Sequence, residues 1–475
     1  MMPGKHKHDV LVIGGGPAGS VAATALAREG LRVRLIEGAR FPRYHIGESL
    51  TPSCRTVFDA IGISKKLDTH GFVLKHGGVI RWDSDAWFFD WYSQMGVNSW
   101  QVDRAELDQL LLDHARESGV EVSTGVTAKA VSFSSGRPAS VMCAPDDGEP
   151  YTIDGFEHLI DATGRAGLLS VRHLGNRRPE PALRNIAIWG YWRDTAILPD
   201  TPQGGINVIS SPEGWYWIIP LAGGRTSIGF VTRKDRFSER RPSFGSVDAM
   251  YHALIEESAT VRGLIDEAHY LGPVRVETDY SYSADRFCGP GYMIIGDAAC
   301  FLDPLLSTGV HLALYSALNA AACIASVQRG EVAEDAAHGF FEFAFRRAYA
   351  RLFALVNVMY ERYIGKDGFF RVSDRLVGAE ADQVGAAADS QSFVEIITGL
   401  SDLREAGDAG TRVPTERLIT EALGVQNRTI AAADGPGMPD MSSVLENPLR
   451  DAASSEYRLI TSPHLGLESI LRRAE

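Results

Sequence analysis

Four groups of residues in this chain have types and spacings suited to chemistry. The first is Gly14-x-Gly16-x-x-Gly19, which follows the apolar run Asp9–Ile13 and opens a segment of helical composition, Ala18–Arg28. In such a loop the first glycine makes the turn. The second lets backbone approach a pyrophosphate, and the third lets helix and strand pack closely. The helix start, at Pro17 and Ala18, then presents N–H groups to phosphate charge. Glu37 closes the next apolar run, where a carboxylate about 20 residues on bonds ribose hydroxyls. A glycine turn beside a surface glutamate would share the loop, but not the full order of strand, loop, helix, strand and acid.

The second group is Trp215-Tyr216-Trp217-Ile218-Ile219-Pro220. Two indoles at period two point to one side of a strand and form a wall, or simply part of a core. The third is Ser307-Thr308-Gly309 at the start of a long helical pattern. Backbone N–H groups of Thr308 and Gly309 there would make an anion site, and an ordinary capped helix would carry the same pattern. The fourth is Lys75, in the apolar, glycine-flanked segment Phe72–Trp82. Most lysines are solvated surface charges, but burial in such a segment lowers an amine's pKa. His311 is either a base for a substrate hydroxyl or a structural histidine, and the other histidines show no metal spacing.

The elements that must position these groups follow from periodicity. Asp9–Ile13, Ala18–Arg28 and Arg32–Ile36 form a βαβ unit. Further strands are expected at Ile80–Trp82, Val120–Thr124, His158–Ile160, Ile186–Tyr191, Trp215–Ile219, Thr226–Val231 and Met293–Ile295. Helical patterns cover Arg104–Ser118, Val247–Glu257, Ser307–Gln328 and Ala336–Tyr363, the last with Phe341, Phe345, Tyr349 and Phe353 stepping by four. This reads as an α/β dinucleotide fold interrupted by a mostly antiparallel insertion at about 180–270, with a helical and irregular C-terminal region over 366–475. Gly378–Ser390 and Asn427–Glu456 read as loops.

Composition bounds the possibilities. The 475 residues, 45% hydrophobic and 23% charged, suit a folded chain with two or three domains. With 48 glycines and 22 prolines, long coiled coils are excluded. A net charge of −13 with no basic patch argues against nucleic acid. Five cysteines without a Cys-x-x-Cys pair fit neither a disulfide framework nor a zinc site and suit a reducing cytoplasm. The N-terminal apolar run is too short for a signal peptide, and Leu312–Val327 is too short and small-sided for a membrane span. A cytoplasmic protein with no membrane partner is expected.

Two later segments extend the first motif: Leu159-Ile160-Asp161-Ala162-Thr163-Gly164 and Tyr292-Met293-Ile294-Ile295-Gly296-Asp297. Together with the glycine loop they resemble the flavoprotein monooxygenase superfamily. The resemblance implies FAD, with Gly296 and Asp297 at the ribityl chain and Arg104, in Gln-Val-Asp-Arg-x-x-Leu-Asp, near the flavin. In isolation Asp297 would read as a helix N-cap. Trp215–Pro220 fits W-x-W-x-I-P, and Phe301-x-x-Pro304-x-x-Ser307-x-Gly309, Lys75-x-Gly77-Gly78, Phe41-Pro-Arg-Tyr44 and Gly47-Glu48-Ser49-Leu50-x-Pro52 accompany it. Over roughly residues 8–365 the chain therefore resembles the flavin-dependent halogenases.

That resemblance implies a set of roles. Cofactor contacts fall to Gly14, Gly16, Pro17, Ala18, Gly19, Glu37, Ser49, Arg104, Asp161, Gly296, Asp297 and Pro304. Halide, chloride or bromide, would sit at Thr308 and Gly309, and Ser307 or a carbonyl would polarise the electrophile. Trp215 and Trp217 would bar the organic substrate from the flavin. Hypochlorous acid, made from FADH2, O2 and chloride through a flavin C4a-hydroperoxide, would pass to Lys75 for delivery to the ring. FADH2 would come from a separate flavin reductase, since no nicotinamide site is evident. FAD-binding parts are expected at about 1–75, 100–180 and 270–335, with a substrate-side sheet at about 76–100 and 181–270.

One departure shapes the substrate expectation. Tryptophan halogenases have a glutamate just before Ser-Thr-Gly, where this chain has Leu306. The chain instead resembles the phenol and pyrrole branch, including carrier-tethered tyrosyl halogenases of peptide antibiotic pathways. All eight tryptophans lie between Trp82 and Trp217, as a substrate pocket or as core, with Trp82 a candidate substrate contact. Two other readings stand beside this one: an aromatic hydroxylase on the same fold, and a flavin-loaded carrier-docking protein without turnover.

Overall fold

The chain folds around Val10–Ile13, four consecutive apolar residues that are all buried. A parallel strand covered on both faces needs such a continuous run. In the computed structural model, which describes residues 7–83, 85–361, 365–378, 390–408, 415, 419–420 and 456–470, it pairs in parallel with Val33–Glu37 and with His158–Asp161. These belong to a six-stranded sheet completed by Glu121–Thr124, Tyr292–Ile294 and Cys288–Gly289. The turns after Ile13, Asp161 and Ile294 therefore open side by side at one edge, where open α/β sheets bind ligands.

Helix Pro17–Arg28 starts with proline at its first turn and is buried from Pro17 to Leu26. Its small residues let it lie between helices Arg104–Glu117 and Gly309–Gln328. Gly309–Gln328 is long and apolar enough to cross a membrane by length and composition, but 89% of that window is buried inside the protein. Helix Glu334–Glu361 packs against it, and Phe341, Phe345, Tyr349 and Phe353 all lie in the core.

The second sheet has nine strands. Its path runs Cys300–Phe301, Arg275–Ala284, Arg177–Arg193, Arg225–Arg233, Gly214–Leu221, Ile206–Ser211, Gly77–Trp82 and Asp85–Asp90, and the ninth strand, His269–Tyr270, pairs off this path with Arg177–Arg193. Only the pair Ile206–Ser211 with Gly77–Trp82 is parallel. The antiparallel expectation thus holds for most of the sheet, but its extent differs. Arg275–Ala284 and Cys300–Phe301 belong to it as well as to the chain's return toward the first sheet. A three-stranded meander, Val126–Ser134, Arg137–Pro145 and Tyr151–Asp154, is also absent from the sequence expectations. Its first turn, Ser135-Gly136, has positive φ at both residues, the geometry that matches hairpin twist.

The C-terminal region contributes helices Lys366–Leu376, Gln391–Ile397 and Leu400–Gly407. It also contributes a hairpin, Tyr457–Ile460 with Gly466–Ser469, where irregular chain is expected. The hairpin is bonded to the core through Leu467 N to Ser326 Oγ at 2.8 Å and Leu465 N to Glu29 Oε1 at 2.9 Å. The loops expected within 378–390 and 427–456 lie largely outside the described residues.

A Cβ at Gly19 would fall 1.9 Å from the Gly14 carbonyl oxygen, which is rigid backbone. Gly19→Ala is expected to destabilise the fold by roughly 1–3 kcal/mol, as overpacking does. Urea denaturation checks this against Gly339→Ala, where a Cβ meets nothing within 4 Å.

Candidate active site

Two cavities share a wall. The larger, about 480 Å³, opens where the parallel strands end. Gly14, Gly16, Pro17, Ala18 and Glu37 line one part of it, and Ser49, Arg104, Asp297, Pro304, Ser307 and Gly309 line the rest. The smaller, about 40 Å³, is lined by Lys75, Thr51, Trp91, Leu306 and Ile397 among others. Ile206 and Ser307 face both.

The glycine loop fits a dinucleotide. Gly14 has φ +110°, and a Cβ there would meet the Ala162 carbonyl at 2.2 Å. Gly16 faces open cavity with only Arg43 near. Glu37 accepts from the backbone N–H of Gly15 at 2.6 Å and of Ala39 at 2.7 Å, which fixes its carboxylate at the cavity edge. Arg104 is buried, forks onto Asp108 at 2.8 and 3.1 Å, and donates to the Ile46 carbonyl at 2.7 Å. Burial pushes the Asp297 carboxyl up, against the pull of Arg165, Arg104 and Arg177. Size, glycine cradle, ribose-level carboxylate and cationic surroundings suit FAD.

Trp215 and Trp217 lie side by side on the larger cavity, ring centroids 6.0 Å apart. Trp217 Nε1 donates to Ser227 Oγ at 3.1 Å. Its indole lies across Gly229, where a Cβ would sit 2.2 Å from the ring. Trp215 Nε1 donates to Tyr360 Oη at 2.5 Å, and Tyr360 in turn donates to Asp303 at 3.0 Å. Neither Tyr360 nor Asp303 is marked by the sequence, because their partners lie far along the chain.

Lys75 is 2% exposed. Its strand, Val73–Lys75, pairs with Ser99–Gln101. Nζ donates to Ser49 Oγ at 2.7 Å and to the Leu50 carbonyl at 3.0 Å, and lies 5.1 Å from the Trp91 ring centre. No carboxylate pairs with it among the described residues. Burial lowers the ammonium to about 7, so a neutral amine is present at physiological pH.

Ser307 adopts a left-handed φ of +57° between a short turn and helix Gly309–Gln328. The next residue, Thr308, is fully buried, and its Oγ1 has no hydrogen-bond partner among the described residues.

Several expected site residues stand elsewhere. Asp161 does not line the cavity: its carboxylate accepts from Thr163 N, Thr163 Oγ1 and Leu169 N, and so shapes the turn beneath it. Gly19 and Gly296 are also set back, serving packing and a positive-φ turn. His311 lines neither cavity. It is bonded to Ser53 Oγ and Asp402 Oδ2, each at 2.8 Å, and takes the structural role. Trp82 belongs to the core rather than to either cavity.

Comparison with known proteins decides the family. Residues 9–98 and 91–371 match the tryptophan halogenase family. The chain is 39% identical over 405 residues to a tryptophan 2-halogenase from Chondromyces crocatus, covering 84% of this chain and 77% of that one. The chain belongs to the tryptophan halogenase family. This halogenase is also 36% identical over 396 residues to the sulochrin halogenase gedL of Aspergillus terreus, covering 78% and 72% of the two chains. Its fold matches the myxobacterial chondrochloren halogenase CndH with a TM-score of 0.70 at 28% identity, over 83% of this chain and 96% of that one. It is an FAD-dependent halogenase, which sets aside a flavin protein without turnover.

The depressed lysine has a consequence for stability. Between pH 7 and 10.5 the unfolded chain binds a proton that folded Lys75 has lost, so this group's contribution to stability rises with pH. Any stability advantage of Lys75→Met over the parent is therefore expected to shrink as pH rises from 7 to 10. Urea midpoints across that range check it, and a constant difference would contradict the burial effect.

Proposed function

We propose that the enzyme chlorinates an electron-rich phenolic ring, free or tethered to a carrier protein, using FADH2 supplied by a separate reductase. The flavin, when bound and reduced, supplies the activation of O2 that turns chloride into hypochlorous acid. The protein's own contribution is to place and separate the reactants. N–H groups of Thr308 and Gly309 hold the halide at the start of a 20-residue helix. Thr308 itself lines neither cavity, but its buried hydroxyl lacks a partner among the described residues and Gly309 beside it lines the larger cavity, which supports an anion there. Trp215 and Trp217 keep a ring off the flavin, while the junction at Ser307 and Ile206 lets a small electrophile cross.

Lys75 carries the reading: a buried amine, neutral in part at pH 7, in a small apolar cavity that shares its wall with the flavin cavity. It hydrogen-bonds hypochlorous acid or carries the chlorine as a haloamine, and aims it at one carbon. A phenol fits because its oxygen activates the ortho carbon, which offsets the lack of a carboxylate at Leu306. The division into a core at 1–365 and an appended region at 366–475 is also proposed, and Ile397 in the Lys75 cavity gives the latter a part in substrate contact. The relative named tryptophan 2-halogenase favours a second reading, an indole substrate.

The test supplies FADH2, O2 and chloride with a phenol or an indole and reads the products by mass. A chlorinated phenol is expected, with no hydroxylated product, and Lys75→Ala should abolish it while flavin oxidation continues. Chlorination by Lys75→Ala would remove the lysine's role, a halide-independent oxygenated product would favour a hydroxylase, and turnover of indole alone would overturn the phenol assignment.

A further inference from the structure

The reaction proposed above consumes a proton. FADH2, O2, chloride, a ring C–H and one H⁺ give FAD, a ring C–Cl bond and two waters, with the flavin oxidised and O2 reduced. One proton per turnover must reach a cavity walled by tryptophan. Glu48 lines that cavity, is 4% exposed, and has one oxygen, Oε2, buried without a hydrogen-bond partner among the described residues.

Its other oxygen, Oε1, accepts from Tyr191 Oη at 2.6 Å. Tyr191 Oη lies 2.9 Å from Tyr44 Oη, and Tyr44 is 43% exposed. The direction of this chain is set at its inner end, where the carboxyl oxygen accepts. Because the single Tyr191 hydrogen goes to Glu48, Tyr44 must donate to Tyr191, and its Oη in turn accepts from Trp189 Nε1 at 2.9 Å. Every hydroxyl donates inward, from solvent toward the carboxyl.

We propose that Glu48 is the proton-holding group of the flavin cavity, resupplied from solvent through Tyr44 and Tyr191. The neutral acid gives its proton from Oε2 to an oxygen leaving as water. The carboxylate then takes the Tyr191 hydrogen at Oε1 while Tyr191 takes that of Tyr44, which a proton from solvent replaces, and rotation of the carboxyl and of the two hydroxyls restores the starting arrangement. The charged groups facing Glu48 are Asp103, which favours the neutral acid, and Arg225 and Arg104, which oppose it. Arg225 is itself paired with Asp103 at 3.0 Å. Burial outweighs these, and the carboxyl titrates at about 7. An acid near the working pH transfers protons efficiently.

The inference rests on the halogenase reading, and its test separates the two. FAD is bound to the parent, Glu48→Gln and Tyr191→Phe proteins, and the midpoint potential of the bound flavin is followed from pH 5.5 to 8.5. Parent and Glu48→Gln should agree at pH 5.5, where the acid is neutral. At pH 8.5 the parent should lie lower, because a carboxylate disfavours an anionic reduced flavin. Tyr191→Phe should move the parent's inflection to higher pH, as the carboxylate loses a donor. Chlorination by Glu48→Gln should fall roughly a hundredfold at pH 7. Parallel potential curves for parent and Glu48→Gln overturn the proposal while leaving the halogenase reading intact. Should Glu48→Gln fail to fold, an unmoved inflection in Tyr191→Phe does the same. Failure of the parent to bind FAD overturns both.

Discussion

An amine buried without a counter-ion is the constraint on which the rest of the architecture turns. Desolvation alone pushes Lys75 toward neutrality, and among the described residues no carboxylate pairs with it and only Ser49 Oγ and the Leu50 carbonyl accept its hydrogens. Those two acceptors lie on the segment that also lines the flavin cavity through Gly47, Glu48 and Ser49. Ser49 therefore faces the flavin cavity while bonding the amine. A shift of this segment would change both cavities together, so their relative placement depends on one short stretch of backbone. That stretch is held by pairing of Leu50 N to the Trp100 carbonyl and of Val102 N to the Glu48 carbonyl.

Long-range polar contacts join the core to the C-terminal helices. Ser53, His311, Asp402 and Arg351 form a buried chain, with Arg351 also paired to Glu405. Burying these charges is costly unless each is paired, and here each is. The chain joins helix Pro52–Ile61, helix Gly309–Gln328 and the C-terminal helices. It also places Ile397 at the Lys75 cavity. The C-terminal helices are thereby tied to the active centre.

Much of this was legible in sequence where function requires a backbone shape. Gly14 and Gly19 are readable because any side chain there strikes backbone. Trp215 and Trp217 are readable because strand periodicity places them on one face. Other roles depend on partners distant in the chain. Asp161 reads as a cofactor ligand until Leu169 and Thr163 are seen to take its oxygens. His311 reads as a base or as a structural histidine until it is found bonded to Ser53 and Asp402, away from both cavities. Gly229 and Tyr360 carry no local signal, since each matters only through the indole it supports. Arg275–Ala284 hid as a strand because RVETDYSYSA is too polar to read as a buried run.

The central claim is spatial: the ring to be halogenated lies across the Trp215–Trp217 wall from the flavin. A crystal structure with FAD and a phenolic substrate bound together tests it most directly. The account predicts electron density for the ring beside Lys75, in a cavity enlarged from its substrate-free volume of about 40 Å³, with the amine nearer to it than any flavin atom. A ring stacked on the isoalloxazine, on the flavin side of both indoles, would contradict it.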